Sequence, residues 1–137
     1  MSVRVFVPRD SSALSVGAEG VARAIAQEAA ARTLDVTVVR NGSRGMFWLE
    51  PLVEVETPQG RIAYGPVSRE AVAGLFEAAF LEGQPHALCL GPTEQIPYLK
   101  EQERLTFARC GIVDPLSIED YIAFGGYLGL PKALKLQ

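Results

Sequence analysis

Two cysteines, Cys89 and Cys110, and one histidine, His86, are the residues most able to do chemistry in this chain. The cysteines lie far apart in sequence, with no Cys-x-x-Cys pair and no Cys/His cluster, so neither a dithiol redox motif nor a zinc site is offered. Their apolar neighbours, Leu88 and Leu90 for the first and Phe107 and Ala108 for the second, make both read as small buried hydrophobes. His86 stands beside Pro85 without a nucleophile or carboxylate partner and reads as a loop residue. No G-x-S-x-G elbow is present, nor a phosphate-binding G-x-x-x-x-G-K-[ST] loop, nor a G-x-G-x-x-G after a strand. Glu54 and Glu56 share one strand face and read as solvated rather than as a catalytic pair. The Asn41–Gly45 loop holds the most promise. Its Gly42-Ser43-Arg44-Gly45 run could cradle an anion with backbone N–H groups, and Gly-x-x-Gly also occurs in a nucleic-acid-binding loop.

These residues sit in a chain of 137, about the size of one domain with a short extension. Hydrophobic residues make up 48% and charged residues 21%, which excludes disorder as the main state. Thirteen basic against 16 acidic residues give a net charge of −3. A nucleic-acid partner would call for a basic surplus, so none is expected. No apolar run reaches the roughly 20 residues that cross a bilayer, and no membrane partner is expected. Met1-Ser2-Val3-Arg4 leads straight into a strand pattern without signal-peptide layout, so the expected location is cytoplasmic.

Hydrophobic periodicity supplies the elements. Residues 3–7 alternate as a strand, residues 17–32 repeat their apolar positions at helical spacing, and residues 35–40 form a second strand. A strand–helix–strand unit of this length joins two parallel strands. After the glycine-bearing loop, residues 52–57 and 61–65 read as a hairpin around Pro58-Gln59-Gly60. Ser68 caps a helix carrying Val72, Leu75, Phe76, Ala79 and Phe80 on one stripe, and Gly83 ends it. Beyond it, residues 86–92 read as an apolar link, 96–107 as a charged helix and 109–113 as a brief extended piece. Ser117 caps a further helix that Gly125-Gly126 interrupts, and another starts at Pro131. The expected architecture is α/β: a βαβ-ββα body with a mixed four-stranded sheet over residues 1–83, and a helical connector over 84–137.

These pieces resemble the thioredoxin-like ferredoxin fold that carries a [2Fe–2S] cluster in respiratory NADH dehydrogenases and related hydrogenases. The family pattern is V-C-x4-C followed by G-[AS] opening a helix, then G-C-x-G-x-C-x3-P. Here Val7-Pro8, Ala13 and Gly17-Ala18 match the first part, and Gly42-Ser43-Arg44-Gly45-Met46-Phe47 with Pro51 matches the second. The spacings persist, but Pro8, Ala13, Ser43 and Phe47 stand at the four ligand positions. Four thiolates hold such a cluster, so the resemblance implies a fold that has lost it. With no thiolate left there, Phe47 is expected to turn inward toward Pro8 and Ala13 and fill the space.

The tail sharpens the resemblance. Leu105 to Tyr121, then Gly125-Gly126-Tyr127, with Asn41–Gly45 and Trp48-Leu49-Glu50-Pro51, is most similar to the β (diaphorase) subunit of soluble NAD-dependent formate dehydrogenases. What this implies is a non-catalytic docking domain in the NADH-forming flavin subunit, with the chain an N-terminal fragment of that subunit. No catalytic, cofactor-binding or metal-binding residue is expected in this chain. FMN, NAD and [4Fe–4S] are expected in the remainder of the parent, and the other dehydrogenase subunits and the flavin domain as partners. Arg44 and Trp48 are the expected interface residues, because Arg and Trp are enriched at interface hot spots. Two alternatives stand beside this reading: a stand-alone thioredoxin-like redox protein, and an anion- or RNA-binding module using Gly42–Gly45.

Overall fold

The computed structural model describes residues 2–136. Strand β1 (Val3–Phe6) leads through a short helix α1 (Ser11–Ser15) into α2 (Ala18–Ala31), and β2 (Val36–Val39) returns parallel to β1, with Val3 opposite Val36 and Val5 opposite Val38. Alanine gives α2 its helix propensity. Val21, Ala22, Ile25 and Ala29 form its buried stripe, while Glu19–Arg23 and Glu28–Arg32 pair four residues apart along the helix. Gly17 separates the two helices at φ +98°, a left-handed conformation suited to glycine.

The hairpin forms as expected from β3 (Val53–Thr57) and β4 (Gly60–Tyr64). Ser68 Oγ accepts from Ala71 N at 3.3 Å and caps the turn into α3 (Val72–Glu77). That helix stops short of the expected end. Ala79 and Gly83 both take positive φ, and the turn between them carries Phe80 back under the sheet. There Phe80 meets the rings of Tyr64 and Phe76 edge-on, at 5.7 and 5.0 Å.

The sheet has five strands in the order β2-β1-β3-β4-β5, mixed in direction, rather than four. The fifth, β5 (Cys89–Pro92), comes from the segment read as an apolar link and pairs antiparallel with β4, Ala63 opposite Gly91. Glycine and proline lower its strand propensity; an edge position tolerates both. Helix α4 (Pro97–Lys100) covers only the start of the expected 96–107 helix, and residues 109–113 form turns instead of an extended piece. Helices α5 (Ile118–Ala123) and α6 (Gly129–Leu134) follow, with Ser117 Oγ capping α5 by accepting from Asp120 N at 3.0 Å.

Strand alternation divides the core between two sheet faces. Val5, Val7, Val53 and Val55 join α2, α3 and Phe80 in the larger cluster. Phe6, Glu54, Arg61 and Ala63 alternate to the other face, where Met46, Leu52, Ala63 and Leu99 form a second cluster. Among the described residues, no helix is long and apolar enough to cross a membrane.

Candidate functional site

The chain leaving β1 runs beside the loop after β2, held by Val7 N to Val39 O at 2.9 Å and Arg9 N to Asn41 O at 3.0 Å. This brings Pro8 next to the Asn41–Gly45 loop. Pro8 and Ala13 are both buried. Ser43 Oγ donates to Glu50 Oε1 at 2.7 Å and accepts from Gly45 N at 2.9 Å. Leu52 N donates to the other Glu50 oxygen at 3.0 Å. Burial pushes the Glu50 carboxyl above its ordinary range, and these hydrogen bonds only partly oppose it.

Phe47 does not plug this region. It is 63% exposed, and Met46, one residue earlier, is fully buried in the second cluster. A 3-10 turn at Phe47–Leu49 rotates both Phe47 and Trp48 outward once Met46 has entered the core. Trp48 is likewise exposed and meets the Tyr98 ring edge-on at 5.0 Å.

Arg44 is the larger correction. The residue read as an interface arginine is only 5% exposed, and its guanidinium turns under the loop. Nε and NH2 donate side by side to the two oxygens of Glu54 at 3.0 and 2.8 Å, and NH1 donates to Glu94 at 2.8 Å. Glu54, expected on a solvated face, is 1% exposed; Glu56 stays outside and pairs with Arg4. Burial alone would lower the Arg44 pKa, but Glu54 and then Glu94 outweigh it and hold the group above its ordinary value. Burial lowers the Arg61 pKa, and Glu54, 3.5 Å away, opposes that. The cation that an anion cradle at Gly42–Gly45 would use is therefore committed to internal carboxylates.

Residues 104–112 cross over this ion cluster. Arg61 donates to the Gly111 and Ile112 carbonyls at 2.9 and 2.8 Å, and Asn41 Nδ2 donates to Gly111 O at 2.7 Å. Arg104 NH2 donates to Arg44 O at 2.6 Å. No local signal in the sequence announced this set, because its members come from β4, the loop and the tail. Beside it opens a cleft of about 600 Å³, lined in part by Ser43, Gly45, Tyr98, Arg104, Phe107 and Cys110.

Cys110 is exposed here rather than buried, because the turn carrying it lies across the outside of the sheet; Cys89 is half-buried on β5. His86 sits in the turn before β5, where its Nδ1 accepts from Leu88 N at 3.1 Å. Among the described residues, no group of three or more His, Cys, Asp or Glu side chains could hold a metal ion. Proline, alanine, serine and phenylalanine offer no thiolate at the positions matched to the ferredoxin pattern, so the donor set does not fit a [2Fe–2S] cluster.

The fold is thioredoxin-like, of the kind seen in thioredoxin-like [2Fe–2S] ferredoxins. The wild-type ferredoxin from Aquifex aeolicus superposes with a TM-score of 0.55 at 22% identity, over 66% of this chain and 97% of the ferredoxin. A second structure of that ferredoxin gives 0.56 at 20% identity, over 66% and 91%. In sequence, the chain is 51% identical over 37 residues to the NADP-reducing hydrogenase subunit HndC of Solidesulfovibrio fructosivorans. That stretch is 27% of this chain and spans only 8% of the hydrogenase subunit. The chain matches no protein-family model.

Proposed function

We propose that this chain is a non-catalytic docking domain of an NADH-linked oxidoreductase, within the flavin subunit of an NAD-dependent formate dehydrogenase. The observation that carries the reading is a thioredoxin-like ferredoxin fold whose loop lacks thiolates and directs its arginine inward to Glu54. Such a loop has a structural use and no electron-transfer chemistry of its own. The short match to a hydrogenase subunit supports placement in a multi-subunit redox complex. The formate specificity rests on the tail resemblance. In this reading residues 1–83 supply the body, with β5 added to its sheet, and the rest of 84–137 leads toward a flavin domain. FMN, NAD and [4Fe–4S] belong to the remainder of the parent, and the setting is cytoplasmic.

The exposed Trp48–Tyr98 pair with Phe47 supplies the contact surface, since aromatic anchors dominate interface energetics. The test mixes the purified chain with the flavin-bearing subunit of an NAD-dependent formate dehydrogenase from which the corresponding N-terminal domain has been deleted and, separately, with that of an NADP-reducing hydrogenase truncated in the same way. Analytical gel filtration should show a complex with the first. Trp48→Ala should weaken it by about tenfold or more, the loss of a hot-spot residue. Preference for the hydrogenase subunit would overturn the formate assignment, and binding to neither would overturn the docking role.

A further inference from the structure

We propose that the Asn41–Gly45 loop and Arg61 work as a latch that clamps the backbone of residues 104–112 across the sheet. The latch sets the course of the chain into residues 113–136. This mechanical role extends the docking reading only in its purpose; the clamp itself rests on the geometry of this chain alone.

The grip is directed at carbonyls. The two terminal nitrogens of Arg61 reach successive carbonyls, Gly111 and Ile112, and Asn41 Nδ2 shares the first of them. Arg104 returns the contact from the strap side by donating to the Arg44 carbonyl. Arg61 is itself held in place, with its guanidinium 3.4 Å from the centre of the Phe6 ring and 3.5 Å from Glu54. A planar fork fixed on two sides presents its donors in a set direction.

Gly111 is the point of closest approach. It takes φ +80°, and a Cβ there would collide with the Cδ of Arg44. The latch therefore needs glycine twice over, for the backbone conformation and for the space. Because the latch grips the strap by its main-chain carbonyls, most of the strap's side chains are left free of it: Leu105, Phe107 and Cys110 are all exposed, while Arg104 reaches back to the loop.

The strap has little structure to sustain it otherwise. Its internal bonds are single turns, such as Cys110 N to Phe107 O and Ile112 N to Arg109 O, both 3.0 Å. Isolated turns of this size do not persist in water. Their protection depends on the latch.

Hydrogen exchange on the full 137-residue chain reads this directly, at the amides of Cys110 and Ile112 against those of β1 and β3. In the parent, the strap amides should be protected. Arg61→Met and Gly111→Ala should each speed their exchange by about tenfold or more, with the sheet amides unchanged. Asn41→Ala removes a single donor, keeps the ion cluster and should give a smaller acceleration in the same amides. It keeps the test open should either stronger variant unfold. Unprotected strap amides in the parent, or parent-like rates in the folded variants, would overturn the latch. No partner enters the measurement, so failure to bind a flavin subunit leaves its outcome untouched.

Discussion

Arg44 meets Glu54 side-on, through Nε at 3.0 Å and NH2 at 2.8 Å, with both side chains nearly sealed from water. Two parallel charge-assisted hydrogen bonds offset the desolvation that burying this pair requires. Glu54 also lies 3.5 Å from Arg61, so one carboxylate serves two partly or fully buried guanidiniums.

That sharing makes the loss asymmetric. Glu54→Gln leaves two cations facing each other and should destabilise the fold by about 3–5 kcal/mol, the range for breaking a buried pair. Arg44→Met leaves Glu54 beside Arg61, and exposed Glu94 can turn to water, so the loss should be smaller. Urea denaturation midpoints of the two variants check the order. Equal losses would mean that Arg61 does not share the carboxylate.

The outward turn at Phe47 predicts a contrast between neighbours. Phe47→Ala should change stability by no more than about 0.5 kcal/mol, as for other surface sites. Met46→Ala should cost about 2–5 kcal/mol, because it empties a fully buried position in the second cluster. Thermal or denaturant melts of the pair decide it, and a large loss at Phe47 would place its ring inside.

Glu50 should give the protein a specific pH dependence. Its carboxyl lies above the ordinary value of 4.5 in the folded chain, pushed up by burial. The folded state therefore holds this proton more tightly than the unfolded state. Its contribution is full below about pH 4.5 and is lost as pH rises through the elevated folded value. Glu50→Gln keeps the acceptor for Leu52 N but cannot ionise. Across the range from about pH 4 to about pH 8, the parent should lose stability relative to this variant. A constant difference in urea midpoint would contradict the assignment.

Iron chemistry offers a fourth check. Incubating the reduced protein with ferrous iron and sulfide should produce no visible absorption band, since no set of four thiolates exists to hold a cluster. Stoichiometric iron and sulfide retained after desalting would show that other donors had taken over.

Local patterns carried much of the fold. The alternation in Val3-Arg4-Val5-Phe6, the alanine-rich stripe of α2 and the Pro58-Gln59-Gly60 turn each depend on residues close in sequence, and each appears where its pattern placed it. Ser68 and Ser117 cap their helices for the same reason. Strand β5 was not legible, because a Gly-Pro edge strand draws its order from β4 and not from its own propensity. Nor did residue type reveal which of Met46 and Phe47 enters the core: both are apolar, and the turn at Phe47–Leu49 decides between them. The ion cluster was least legible of all. Considered alone, an arginine in a glycine loop reads as an interface or anion-binding residue, and a glutamate on a strand reads as solvated. A charge is buried only where a partner waits, and here Glu54, Arg61, Glu94 and the Gly111 backbone reach Arg44 or its neighbours from separate parts of the chain. Tertiary structure alone brings them together.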